Sequence, residues 1–300
     1  GAIEVYREIL TAHPTHEPTL TAMEGLFFSA DGSAAGAARQ AEIASILEPL
    51  YEASSSYEQL HRLYEVELGK KSGTDRQAML QRIAELAEGR LYDPQRAFNW
   101  WGRGVIEFPK WDQAIDEAER LAKDTASWQE LVGVYGESLA KHADKDVQRS
   151  LLLKAARVHE FELRDPVRAV ETHIRALDVE PREAEALAAL DRLYLGAGMY
   201  DELVEILRRR IEVTTDTDEQ IEMHFRRGAL FSDALGDLDA SLACYNAVLA
   251  IESRNRRALE ATESIFFRRQ DWPALYETYE KMIDVADGDK GEVGGAVVLR

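Results

Sequence analysis

The chain has a single cysteine, Cys244, in 300 residues, so no disulfide can form within it. Such usage fits a reducing cytoplasm and is compatible with the periplasm. Basic residues are scarce: 36 Lys and Arg stand against 55 Asp and Glu, giving a net charge of −19. That balance argues against bulk nucleic-acid binding, whose affinity comes from a basic surface, and against peripheral attachment to an anionic membrane. No apolar run approaches the roughly 20 residues that span a bilayer, and no signal peptide is visible. Catalytic signatures are missing too: the sequence holds no P-loop, HExxH, G-x-G-x-x-G after a strand, G-x-S-x-G or CxxC. The eight prolines sit mostly at boundaries, as an all-helical chain requires.

What the sequence does have is a period. The stretch Asp165–Pro181 recurs 72 residues upstream as Asp93–Pro109 and 72 residues downstream as Asp237–Ser253. A second anchor alternates with it: Tyr57, Trp128, Tyr200 and Trp272, each followed three residues later by Leu60, Leu131, Leu203 and Leu275. A fixed period of this size marks a repeat array, and half-units of about 36 residues are the size of a helix–turn–helix. Each piece reads as helix. In Arg149–Leu163 the apolar residues Leu152, Leu153, Ala156, Val158, Phe161 and Leu163 fall near 3.6 spacing. Asp165-Pro166 then places an N-cap Asp before Pro at N1. Ala169, Val170, Ile174, Leu177 and Val179 line one face, and Pro181 forbids continuation. Small residues stand 72 apart on the first helix of each pair, at Ala84, Ala156 and Gly228, where they let two helices approach closely.

This pattern resembles the tetratricopeptide repeat family. Gly228, Phe231, Gly236-Asp237, Ser241, Tyr245, Val248-Leu249 and Ser253 match its motif, with one extra residue in the turn. Ala156, His159, Asp165, Ala169, His173, Ala176-Leu177 and Pro181 match with two histidines in aromatic slots. In the Tyr/Trp half-units, Leu60, Leu131, Leu203 and Leu275 replace one small residue, and Glu48, Glu119, Asp191 and Glu263 replace the other. The resemblance implies an all-α, right-handed superhelical solenoid of antiparallel helix pairs over residues 1–300. The expected divisions are a partial unit at 1–14, an irregular insertion at 15–56, repeat units at 57–110, 111–181 and 182–253, and an incomplete unit at 254–300. Residues Gly1–Pro14 read as a second helix without its first, and Arg300 falls at the small residue of a further first helix. The expectation is a segment of a longer array. In the insertion, helices are expected at about Pro18–Ser29 and Ala37–Glu52, with a kink at Pro49.

Candidate sites were weighed against packing. No catalytic residue, metal site or cofactor is expected. His13 and His16 flank Pro14 and read as turn histidines. His159 and His173 read as substituted aromatic packing across one helix pair, with a proton switch as the sharper alternative. Cys244 reads as a small buried hydrophobe. Trp100 and Trp101 fall in a second helix, and Trp111 has Glu183 and Asn255 at its equivalent positions, which makes it a candidate contact anchor. In the family the first helices line a concave groove that holds peptides or partner helices. By that resemblance Arg120, Arg157 and Arg192 fall at one equivalent groove site, with Lys123 three residues past Arg120 and Phe225 and Phe267 toward the C-terminal end. A basic row could attract an acidic segment; the competing reading is pairing with nearby carboxylates. The family's Lys and Asn carboxylate clamp is not reproduced.

The expected function is a non-catalytic protein-interaction scaffold that takes a peptide or partner segment, acidic in character, in the groove. Two alternatives are kept: a structural component of a large envelope or motility assembly that self-associates through array packing, and a regulatory region of a larger enzyme or transcription factor. Ala-rich, Arg-over-Lys usage suggests a GC-rich bacterial source.

Overall fold

The computed structural model describes residues 1–29 and 33–298, with side chains to residue 286, Ala34 apart. The expected register of Arg300 lies outside the described residues. Among these the chain forms sixteen α-helices and no strand. It divides into two compact units, residues 1–151 and 152–300.

The first unit holds α1 (Ala2–Ala12), α2 (Glu17–Phe28), α3 (Ala34–Ala53), α4 (Tyr57–Leu68), α5 (Gly73–Gly89), α6 (Pro94–Glu107), α7 (Asp112–Thr125) and α8 (Trp128–Lys141). The division falls within α9 (Lys145–Arg157). The second unit continues with α10 (Pro166–Val179), α11 (Ala184–Ala197), α12 (Tyr200–Val213), α13 (Thr217–Ala229), α14 (Leu238–Ile251), α15 (Arg256–Arg269) and α16 (Trp272–Val298). In each unit successive helices pack on one another as antiparallel pairs, the solenoid arrangement. The insertion is filled by α2 and α3, and α3 is a single helix that contains Pro49.

Amphipathic helices bury one stripe against the next pair. The core of the first unit runs through Leu10, Phe27, Leu47, Tyr64 and Leu80. In the second unit Phe225, Tyr245, Val248 and Ile265 form a cluster between α13, α14 and α15. Gly228 is the closest approach there: a Cβ on it would lie 2.7 Å from the Tyr245 ring. Gly104 does the same for Trp111 in the first unit, at 3.0 Å.

The turns repeat as faithfully as the side chains. Asp93, Asp165 and Asp237 each accept a hydrogen bond from the backbone N–H three residues on, at 2.9, 3.0 and 2.9 Å. The residue before each, Tyr92, Arg164 or Gly236, has a left-handed backbone with φ of 55, 53 and 71°. The other class of turn places Ser55, Ala126, Gly198 and Gln270 in the same region. A side chain there costs about 1 kcal/mol or more, so the geometry is held by the packing of the pair rather than by glycine. The extra turn residue is absorbed by π-helical widening at Val158–Glu162 and Leu230–Leu235. In all three turns the Asp N–H reaches back six residues, to the carbonyls of Ala87, His159 and Phe231.

Candidate functional site

The sequence-predicted residues separate into different surroundings. In the first unit Arg120 stands on α7 among three carboxylates: Glu88 at 2.7 Å, Glu117 at 2.7 Å and Asp124 at 3.2 Å. Lys123 is exposed one turn on. Trp111 is half-buried at the start of α7, edge-on to Trp101 at 5.4 Å and Phe108 at 6.4 Å. Its unmatched position is thus explained by the small residue Gly104 beneath it, and it is a packing residue rather than an exposed anchor.

In the second unit Arg157, the last residue of α9, donates to Glu185 of α11 at 2.7 Å. Arg192 of α11 donates through both terminal nitrogens to Glu160, one bond at 3.1 Å, and its guanidinium lies 5.4 Å from the centre of the Phe161 ring. The side chain of Glu160 is only 9% exposed, whereas Arg192 is 55% exposed. Leu195, one turn beyond Arg192, opens onto a cavity of about 490 Å³ that Tyr200, Leu203, Ala229 and Leu230 also line. Arg226 and Asp233 provide its polar lining. Phe161 and Leu195 are more than half exposed. Phe267 is exposed too and meets Trp272 edge-on at 6.2 Å. Phe225, expected at the surface, is instead 5% exposed, sealed against Tyr245 and beneath Arg257 at 4.0 Å. It faces Tyr245 of α14, whereas its neighbour Arg226 lines the cavity.

Both histidines in aromatic slots are buried. His173 on α10 is 1% exposed, and neither ring nitrogen has a hydrogen-bond partner among the described residues. His159 in the π-helical turn is buried with its Nδ1 unpartnered, and His224 on α13 likewise lacks a partner at Nδ1. Burial is the main force lowering the affinity of all three for a proton. Around His173 the charges are Glu160 from the π-helical turn, Glu185 and Arg192 from α11, and Arg157 from α9. The two carboxylates oppose the effect of burial and the two arginines reinforce it. His61 in the first unit is buried as well, but Trp100 Nε1–H donates to its Nε2 at 3.1 Å and Glu65 lies 3.5 Å from its Nδ1. Cys244 is buried, and burial pushes its thiol up.

The acidic residues that depart from the repeat pattern have a structural partner the sequence did not disclose. Tyr64 donates to Glu48 at 2.9 Å, Tyr135 to Glu119 at 2.7 Å and Tyr279 to Glu263 at 2.8 Å, each pair sixteen residues apart. Desolvation and the neighbouring carboxylate keep Tyr64 and Tyr135 protonated. At the third position Leu207 replaces the tyrosine, and buried Asp191 is held by Arg210 and by two nitrogens of Arg226, at 3.0 and 2.7 Å. The signal was available in the sixteen-residue spacing, which links a first helix to the second helix of its own pair.

Among the described residues no group of three or more His, Cys, Asp and Glu side chains is placed to hold a metal ion. No helix among them is long and apolar enough to cross a membrane.

The tetratricopeptide repeat profile matches residues 186–221, which span α11 and α12. The sequence matches none of the curated proteins. Among solved structures, the crystal structure of MamA is 15% identical, with a TM-score of 0.34, over 57% of this chain and 95% of its own. The C-terminal part of a TPR repeat-containing protein from Cytophaga hutchinsonii is 13% identical, at a TM-score of 0.38, over 85% of this chain and 98% of its own. YrrB, described as a TPR protein with an unusual peptide-binding site, is 14% identical, at 0.36, over 67% and 97%. At these identities and scores none of the three bears on what this chain binds. The profile match covers residues 186–221, and the 72-residue period and antiparallel helix pairs of the described residues are similar to those of tetratricopeptide-like helical repeats.

Proposed function

We propose that the chain is a non-catalytic scaffold that holds an extended segment of a partner protein on the second unit. The observation that carries this reading is the open, largely apolar cavity lined by Leu195, Leu203 and Leu230, with Leu195 one helical turn from Arg192. An exposed apolar cavity with a cation one helical turn away suits a segment carrying an acidic residue and an apolar side chain. The Arg157–Glu185 pair is exposed, and such pairs are worth only about 0.2–1 kcal/mol, so a ligand carboxylate can share Arg157; the guanidinium of Arg192 is exposed on the side away from the buried Glu160 and is open to a ligand there. Arg120, surrounded by three carboxylates, is the poorer anion site.

The test is selection from a random peptide display library on the intact chain and on an R157E/R192E/L195D variant. The reading expects peptides combining Asp or Glu with Leu, Ile or Phe to be enriched by the parent and lost with the variant. Enrichment that the variant retains contradicts it.

A second reading, self-association through array packing, has an observation of its own. Trp272, Tyr276 and Ile283 on α16 are all more than half exposed, and Tyr279 is 43% exposed. Its counterparts Tyr64, Tyr135 and Leu207 are almost fully buried. On that reading the chain forms oligomers whose population rises with concentration in analytical ultracentrifugation, and W272E/Y276E abolishes them. A GC-rich bacterial source agrees with either reading.

A further inference from the structure

We propose that binding of an acidic segment at Arg157 and Arg192 is coupled to uptake of one proton by His173, so that the second unit holds its ligand more tightly as the pH falls. This deepens the proposed function and rests on it for the ligand. The device itself rests on the side chains. His173 is 1% exposed and both its ring nitrogens lack partners. A buried polar group in that condition is destabilising, and the slot it fills is taken by Trp101 and Tyr245 in the other pairs. An apolar or amphipathic ring would serve packing alone.

Four charges surround the imidazole, arranged as two ion pairs. Arg157 with Glu185 and Arg192 with Glu160 are both exposed on the arginine side. In the free protein each carboxylate is matched by its arginine, and burial dominates, so His173 is neutral. A ligand carboxylate that draws Arg192 outward leaves Glu160, 9% exposed, short of positive charge. An uncompensated buried charge is costly. Of the imidazoles with unpartnered nitrogens, His173 is the one on which Glu160 and Arg192 act, and its protonation restores the balance. The ligand's own negative charge acts in the same direction.

The sign follows from linkage. Ligand raises the proton affinity of His173, so the complex binds more protons than the free protein through the window where the free imidazole is neutral. Affinity therefore rises as pH falls through that window. Each half unit of upward shift is worth about threefold in affinity.

Two measurements on the whole chain test this. The first needs no ligand: the His173 imidazole is titrated by NMR, its signal identified by its loss in H173F, in the parent and in R157Q/R192Q. The titration midpoint should rise by about half a unit or more in the double variant, as expected when two nearby cations are removed. An unchanged or lower midpoint overturns the proposal. Should the double variant unfold, R192Q alone gives the same reading with a smaller rise. The second is calorimetry at pH 6.5 with a synthetic Glu/Leu peptide, in buffers of different ionisation enthalpy. Net proton uptake by the parent and none by H173F, with similar affinity of the two at pH 8, supports the coupling. Binding without uptake overturns it. No binding by either protein counts against the proposed function, while the first measurement still decides whether the arginines control His173.

Discussion

The two units fill the same repeat positions with different chemistry. In the first unit the buried ring of the aromatic slot is Trp101, paired edge-on with Trp111, and the one buried histidine, His61, has Trp100 and Glu65 at its nitrogens. In the second unit the slot holds His173 and Tyr245, and His159, His173 and His224 all carry unpartnered ring nitrogens. The acid position differs as well. Glu48, Glu119 and, in the second unit, Glu263 each accept one tyrosine hydroxyl, whereas Asp191 of the second unit holds two arginines. The same repeat position thus takes a tyrosine hydroxyl in some pairs and two guanidinium groups in another, while the left-handed turn residues recur in both units.

Asp191 is the sharpest departure of the second unit from the first. Asp191→Ala removes the only carboxylate shared by Arg210 and Arg226, and breaking a buried pair from one side costs about 3 kcal/mol. Tyr135→Phe removes one hydroxyl bond and should cost about 1 kcal/mol. Hydrogen exchange resolved by peptide reads both: D191A should raise exchange across α11–α13, and Y135F should raise it modestly across α7 and α8. Equal effects would erase the distinction. At the small-residue position, Gly228→Ala drives a Cβ into the Tyr245 ring and should cost about 1–3 kcal/mol by overpacking. Ala84 and Ala156 occupy that position without conflict elsewhere, so G228A/Y245H should recover part of the loss in urea unfolding.

The histidines give a pH-dependent form of the same comparison. Burial lowers the proton affinity of His159, His173 and His224 in the folded state. Unfolded, they take protons near the ordinary histidine value of about 6.5. Stability they permit above that pH is lost as pH falls below it, and the loss levels off once the folded imidazoles also titrate. Three such residues lie in the second unit and one, His61, in the first, so acidification from pH 8 to 5 should raise exchange in the second unit first. His173→Phe should stabilise that unit by about 1 kcal/mol at pH 8, by removing an unpartnered buried polar group, and should blunt the acid response. The smallest effect is at Arg120: its ion pairs are exposed, and R120Q should change stability by less than about 0.5 kcal/mol.

Much of this was legible in the chain. The 72-residue spacing, the Asp-Pro starts and the apolar periodicity give the helix pairs, because helix capping and amphipathicity are local properties. The left-handed residues at Tyr92, Arg164 and Ala126 were not legible, since tertiary packing holds non-glycine residues there against their preference. The surroundings of the arginines were not legible either. Arg120 and Arg192 lie in different units and meet carboxylates more than thirty residues away, Glu88 and Glu160, which local sequence does not disclose. Phe225 was misplaced because successive helical residues point about 100° apart: Phe225 meets Tyr245, while its neighbour Arg226 lines the cavity. The tyrosine–carboxylate pairs were hidden by treating Glu48, Glu119 and Glu263 as departures from a pattern rather than as halves of a second one.

The most direct test of the account is a hydrogen-exchange footprint of the whole chain with and without a Glu/Leu peptide at pH 6.5. A ligand face on the second unit predicts added protection at residues 157–163, 192–203 and 226–235, and none at residues 117–124 around Arg120. Protection centred on Arg120, or no protection in the second unit at saturating peptide, would contradict it.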